Sequence, residues 1–421
     1  MTQILSPQPF DIFIRAQASA KFEEFRDRPD ATVESASAFD EMRTYLLEKY
    51  KDVRVDASFV ENDGQIIDCI PYELHPNAAL DGADPPIPEP PPTPEPEYND
   101  EASPPHAATA TVSIQNQLPL PLYRETLKGW PTGTSPLYRT TLEQLTRYPN
   151  LAAFLAKPGL TVERAPRIDD PYERRYATCD DRTRCLGGAS RINVWRPFVT
   201  PLKQGSISQQ WYSAVTGNVY QSVECGWHVD PPRYNYSYDP HLFVYATNRT
   251  HDDGHYWFNL EGGKFHQVAN PYVTPGAPLL SSQIDGTQIE YKMGFLLNNG
   301  KWEFYFDDHK IGHYEVAELF PNGPLASGAD AAEFGGEVAR KRNEPFAFPA
   351  MGSGRFAADG FGKAAYQRQA FLHYASGGAF QAELRSTGAP LPCYSLEITN
   401  HSVDPNWGSY FFFGGRGALT C

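Results

Sequence analysis

This sequence is short of several things, and each shortage removes a class of function. Positive charge is scarce: 36 Lys and Arg stand against 51 Asp and Glu, a net charge of −15. Such a chain is not built to neutralise phosphates, which excludes nucleic acid and anionic membrane surfaces as partners. No apolar run reaches the roughly 20 residues of a membrane-spanning helix. The opening stretch, MTQILSPQPFDIFIRAQASA, has no basic leader and no continuous apolar core, so no signal peptide is legible there. Cysteine is sparse, six in 421 residues, and no Cys-x-x-Cys occurs, which argues against a zinc ribbon or a thioredoxin-type site. His-Glu-x-x-His is also missing, so a zincin is unsupported.

What is present is aromatic and patterned. The chain has 24 Tyr, 25 Phe and 7 Trp, and its 41% hydrophobic content is enough for a real core. Its length calls for two domains. Residues 1–80 read as a small α+β unit. Ser37 and Asp40 form a capping-box start for a helix over 35–50, with Phe39, Met42, Leu46 and Tyr50 on one face. Val53 to Phe59 and Ile66 to Ile70 read as strands around an Asn62-Asp63-Gly64 turn. Residues 81–112 are a linker; Asp81 to His106 is proline-rich and acidic, with polyproline II character. In 113–175, Gly133 to Arg139 is extended, and a helix with Leu142, Leu145, Leu151 and Phe154 is open to breakage at Pro149. Asp169 to Arg175 is polar and exposed in character, a place for proteolysis. From Tyr176 to Cys421 the pattern is short strands and turns, with clean alternation at Trp302, Phe304 and Phe306 after Asn299-Gly300. The expected fold is mainly β, an antiparallel β-sandwich behind a small α+β unit.

Within the β half, Val219 to Val229 is a strand carrying one acid, Glu224, followed by Cys-Gly-Trp. A carboxylate among Val, Cys and Trp loses water on folding, and lost water favours its protonated form. Glu337, in Phe-Gly-Gly-Glu-Val, has the same character. Two shielded carboxyls brought together are the minimal kit for acid–base hydrolysis. The bland reading is an outward-facing Glu224 and a loop Glu337, since structural acids outnumber catalytic ones.

Other constellations carry less. His251-Asp252-Asp253-Gly254-His255 reads as a solvated turn, not a metal site, and no metal or organic cofactor is called for. Ser353 sits in Gly-Ser-Gly, without the context of a serine nucleophile. Trp211 and Trp227 are either core aromatics or the walls of a pocket that stacks on a ring. Cys179 and Cys185 flank a short polar loop and suit a local bridge; Cys393 and Cys421 suit a staple of the chain end; the pairing stays open. Asn235, Asn248 and Asn400 are sequons, relevant only to a eukaryotic secretory route.

Five pieces taken together resemble the neprosin family of glutamic prolyl endopeptidases: Ile192-Asn193-Val194-Trp195-Arg196-Pro197, Ser206-x-Ser208-Gln209-x-Trp211, Glu224-x-Gly226-Trp227, Gly335-Gly336-Glu337-Val338 and Met351-Gly352-Ser353-Gly354. Gly133 to Arg139 resembles that family's pro-region motif. The resemblance implies a β-sandwich, hydrolysis after proline at acid pH, secretion, and a catalytic pair at Glu224 and Glu337. Gln209 is then the candidate for binding the water or the oxyanion. Trp211, Trp227 and Ser353 are substrate-side candidates. Two family features are missing: Trp257 to Gly262 replaces a cysteine clip, and Gly312-His313-Tyr314-Glu315 replaces a Gly-Tyr-Trp-Pro-like stretch. The expected molecule is a zymogen whose residues 1–175 inhibit residues 176–421 from within and whose substrates are proline-containing peptides. Release is expected between His106 and Ala177. The alternative is a β-sandwich that binds a carbohydrate or surface ligand and catalyses nothing.

Overall fold

The computed structural model describes residues 7–61, 63–79, 114–115, 130–157, 172–250, 254–269, 273–343, 345–388, 392–404 and 406–421. The 81–106 linker, Asn62, Asp169 to Pro171 and His251 to Asp253 lie outside them.

The N-terminal unit is α+β. Helix α1 spans Phe10–Ser19 and α2 spans Ala36–Lys49. The α2 cap is Ser35, not Ser37: its Oγ accepts the Ala38 N–H at 3.1 Å while its own backbone is extended. Starting there keeps Phe39, Met42 and Leu46 together on the buried face. Strand β1 (Ala57–Val60) pairs antiparallel with β2 (Ile66–Pro71). Val53 and Val55 precede the strand rather than join it. A two-residue strand, β3 (Ile114–Gln115), comes next in sequence, and β4 (Thr134–Tyr138) pairs with the free side of β2. Short helices α3 (Leu142–Leu145) and α4 (Leu151–Leu155) are separated by a stretch containing Pro149, and Thr141 and Asn150 cap them.

The sandwich makes up the remainder. Its strands are β5 (Tyr172–Asp181), β6 (Cys185–Asn193), β7 (Gln204–Thr216), β8 (Val219–Val229), β9 (His241–Arg249), β10 (Gly254–Phe258), β11 (Phe265–Gln267), β12 (Gln288–Asn298), β13 (Lys301–Phe306), β14 (His309–Glu315), β15 (Ala331–Lys341), β16 (Ala365–Tyr374), β17 (Ala379–Gln381), β18 (Arg385–Ser386), β19 (Ser395–Thr399) and β20 (Tyr410–Gly414). One sheet has seven strands in the order β10-β9-β8-β7-β15-β5-β18. The other has ten, with β12, β6 and β16 at its centre and β3 parallel beside β12. The sheet pattern begins at Tyr172, inside the polar stretch that reads as exposed in the sequence. Tyr172 to Arg175 pair in register with Val338 to Lys341.

Strand periodicity sorts the side chains. On the seven-stranded sheet, Tyr212, Val223, Cys225, Trp227, Phe334 and Val338 point into the space between sheets and are buried. Fully burying a large apolar side chain is worth about 1.5–3 kcal/mol, so this layer carries much of the stability. The opposite face of the same strands should meet water in a free sandwich. Instead β8 is buried from Gln221 to Val229, because the N-terminal unit lies on that face.

Among the cysteines, Cys393 and Cys421 are disulfide-bonded. Cys179 and Cys185 are free and buried, against the local bridge their spacing invites. The reason is topological: β5 and β6 belong to different sheets, so their ends diverge across the sandwich.

Candidate active site

Strand β7 is the spine of the site. Its residues Ile207, Gln209 and Trp211 share one face, and neighbouring strands present an acid beside each end of that row. Glu224 on β8 is paired with Trp211, and Glu337 on β15 with Ile207. Gln209, between them, faces a glycine on both sides, Gly226 and Gly335. A Cβ at Gly226 would lie 2.6 Å from the Gln209 Cα, and Gly335 has φ +145°, which a side chain rarely tolerates. The Glu-x-Gly and Gly-Gly-Glu motifs are therefore one device: they let the sheet pass closely around Gln209 while the acids lean towards it.

Both acids are buried, with Glu224 4% and Glu337 2% exposed. They meet on a single cation. The Lys157 Nζ lies 2.9 Å from Glu224 Oε2 and 3.0 Å from Glu337 Oε2. Glu224 Oε1 accepts from the Ser222 hydroxyl at 2.9 Å. Glu337 Oε2 also accepts from Gln209 Nε2 at 2.7 Å, and its Oε1 from Arg174 Nη1 at 2.6 Å. Burial pushes the Glu337 carboxyl up, but Lys157 and Arg174 outweigh it and hold it below the usual carboxylate range. The walls are aromatic: the Lys157 ammonium sits 5.3 Å from the Trp211 ring centroid and 5.9 Å from those of Phe243 and Tyr245.

Lys157 is aimed by its own segment. The Arg233 guanidinium donates to the carbonyls of Phe154 at 2.6 Å and Ala156 at 3.1 Å, so the chain is clamped just before the lysine. Tyr148 reaches Asp230 at 3.1 Å, and Arg147 reaches the Pro232 carbonyl at 2.8 Å. The extended Gly133 to Arg139 stretch does something else: as β4 it completes the three-stranded sheet, and Arg139 pairs with buried Asp68. The segment touching the acids is the C-terminal end of α4 with Ala156 and Lys157, not β4.

Of the residues singled out in the sequence, Glu224, Glu337, Gln209 and Trp211 come together. Trp227 does not: it faces the sandwich interior and donates from Nε1 to the Asn193 carbonyl at 3.0 Å. Ser353 accepts the Arg355 N–H at 3.1 Å. Its neighbour Met351 packs under Gly336, on the face opposite Glu337. Lys157, Arg174 and Ser222 were not legible as site residues. Arg174 carried the one usable signal, an alternation with Tyr176 in a stretch too polar to read as a strand. Among the described residues no group of three His, Cys, Asp or Glu side chains is arranged to hold a metal ion.

The family model for neprosin matches residues 202–416, half of the chain and both acid strands. The chain belongs to the neprosin family. It is therefore a peptidase of the glutamic class. Among solved structures, it is similar to SCP-B of the eqolisin peptidases, bound to the tripeptide Ala-Ile-His, at 7% identity and TM-score 0.31, over 58% of this chain and 99% of that one. Scytalido-glutamic peptidase with a peptide-based transition-state analogue matches at 8% and 0.30 over the same shares. The β-porphyranase BpGH16B from Bacteroides plebeius matches at 11% and 0.21, over 39% of this chain and 56% of that one.

Proposed function

We propose that the chain is the latent form of an endopeptidase that cleaves on the C-terminal side of proline in acid, with Glu224 and Glu337 as its catalytic pair. The observation that carries the reading is the single ammonium bonded to both buried acids, supplied by a segment outside the sandwich. In this reading one glutamate, ionised, takes a proton from water as the water oxygen attacks the scissile carbonyl carbon. The other, protonated, gives its proton to the carbonyl oxygen. Collapse of the tetrahedral adduct breaks the C–N bond, and the departing amine leaves with a proton from the pair. Gln209, whose Oε1 has no hydrogen-bond partner among the described residues, is suited to accept a hydrogen bond from the water; for an oxyanion its donor is the amide nitrogen, which also serves Glu337. The Trp211, Phe243 and Tyr245 rings offer a proline side chain an apolar wall. Residues up to Lys157 then act as a tethered inhibitor at high local concentration. The Cys393–Cys421 bridge suits secretion.

Acids on opposite faces of the sheet would have sunk the enzyme reading in favour of its rival, a sandwich that only binds; Glu224 and Glu337 share one face instead. The test is incubation with a proline-containing peptide at several acid pH values, with mass spectrometry of the products. Cuts after proline that vanish in both glutamine variants support the reading. Cuts indifferent to proline sink the specificity, and no cuts at any pH, even after the N-terminal unit is removed, sink the enzyme.

A further inference from the structure

Two cations touch Glu337, and they come from different parts of the molecule. Lys157 belongs to the docked N-terminal unit. Arg174 belongs to β5, inside the seven-stranded sheet, where it pairs with Ala339 while Tyr176 pairs with Glu337. Arg174 and Glu337 are thus diagonal neighbours on one face, a relation fixed by the sheet itself. A boundary at residue 175 would discard Arg174 with the pro-region, but the strand pairing keeps it with the acids.

We infer that Arg174 is a positioning residue of the peptidase: it holds Glu337 as the ionised, water-activating carboxylate and so leaves Glu224 as the proton donor. This rests on the reading in which the two glutamates are the catalytic pair. Consider the site once Lys157 has gone. Glu337 keeps two partners that can only donate, the Arg174 guanidinium on Oε1 and the Gln209 amide nitrogen on Oε2. A proton on either oxygen would have to displace one of them. Glu224 keeps the Ser222 hydroxyl on Oε1, a partner that can donate or accept and so tolerates either protonation state.

The other groups facing the pair do not reverse this bias. Tyr176 on β5, Tyr220 on β8 and Tyr245 on β9 are neutral phenols whose ionisation burial opposes; burial holds His228 on β8 neutral, and Arg249 on β9 sits over the Tyr220 ring at 4.4 Å. Glu333 on β15 is a carboxyl pushed up by burial. Arg174 is the cation that the sheet itself bonds to the pair. In the cycle, Glu337 takes the water proton and passes it to the amine as the C–N bond breaks. Glu224 gives its proton to the carbonyl oxygen and regains it on collapse. Both acids end as they began.

The test uses Arg174→Gln and Arg174→Lys in the full chain, each processed in trans by immobilised parent enzyme, with kcat/KM followed against pH. In Arg174→Gln the acid limb, which reports the base, is expected to move up by about one pH unit or more, the usual effect of a neighbouring cation. At a pH below that limb the rate falls about tenfold per unit. The alkaline limb and KM stay, and Arg174→Lys restores most of the acid limb. An unchanged acid limb, or a shift of the alkaline limb instead, overturns the assignment. N-terminal sequencing of the active form is an independent arm: a start at or before Arg174 is expected, and full activity from a chain beginning after it refutes the role. If Glu224→Gln and Glu337→Gln both remain active, it is the catalytic pair that fails, not only Arg174.

Discussion

Two of the buried-acid sites in the sandwich draw their counter-charges from different origins. Glu290 on β12 is bonded through both oxygens by Arg368 of β16, at 2.6 to 3.1 Å, and by the Tyr366 hydroxyl at 2.9 Å. Arg191 of β6 stands 3.9 Å away. Every partner comes from the same sheet. Glu224 and Glu337 are as deeply buried, yet the cation they share comes from a segment outside the sandwich. Both Glu290 and Glu337 are held below the usual carboxylate range against the push of burial, so a depressed carboxyl does not by itself separate strut from tool. The origin of the cation does. Charge balanced within one sheet is permanent, whereas charge balanced by a docked segment can be removed.

The largest effect should break the comparison cleanly if it is wrong. Glu224→Gln and Glu337→Gln are each expected to keep the fold and lose ~10²–10⁴-fold in turnover, the worth of a general acid or base. Arg368→Met is expected to do the reverse. Stranding Glu290 should cost about 3–5 kcal/mol of stability, with turnover per folded molecule close to that of the parent. Denaturant melts beside peptide assays decide both. A folded but inactive Arg368→Met chain, or an active Glu337→Gln chain, would erase the distinction.

Lys157 gives the next effect. Lys157→Met in the full chain removes the shared ammonium and leaves two buried acids facing each other, so docking of the segment weakens. The half-time for the chain to shorten at a fixed, mildly acid pH should fall at least about tenfold, a modest share of what breaking a buried pair costs. Gels with N-terminal sequencing track it. Shortening at the parent rate would mean that the lysine fills the cleft without guarding it.

Much of this was legible in the sequence alone, and the boundary of legibility has a physical cause. Alternation along a strand places Gln209, Trp211, Glu224 and Glu337 by parity, and glycine beside an acid marks a close strand crossing. Lys157 has no such mark. It is one lysine after a short helix, and both of its carboxylate partners are distant in sequence, Glu224 by 67 residues and Glu337 by more. Tyr172 to Arg175 read as exposed because their polarity is satisfied across strands rather than along the chain: Glu173 bonds Arg340 at 2.7 Å. Trp227 was ambiguous because parity gives the face only once the register is known. Cys179 and Cys185 looked paired because sequence proximity does not reveal that two consecutive strands enter different sheets.

The smallest effect concerns how the docked unit lets go. Among the carboxylate contacts that join it to the sandwich are Lys49 with Glu261 at 2.8 Å, Asp63 with His241 at 3.1 Å, and Lys157 with Glu337 at 3.0 Å. In each, burial pushes the carboxyl up, but the partners outweigh it and the acid titrates below its usual value. A depressed carboxyl stabilises the docked state above the ordinary carboxylate range, and that stabilisation is lost as pH falls through the depressed value. Acid therefore loosens the interface. Glu61, within the N-terminal unit, has the opposite sign. Burial raises it to about 7 despite its hydrogen bond from Tyr138. Its ionised form costs stability as pH rises towards that value, and acid relieves the cost. The unit should thus undock before it unfolds. Hydrogen exchange on the Glu224→Gln chain, corrected for the intrinsic pH dependence, reads this directly. Protection of the Phe154 to Lys157 amides should drop several-fold between neutrality and about pH 4, while the amides of β2 hold. Lys49→Gln should move that drop to higher pH. Protection at Phe154 to Lys157 that survives acid, or is lost together with β2, would mean that the borrowed lysine leaves only when the whole unit melts.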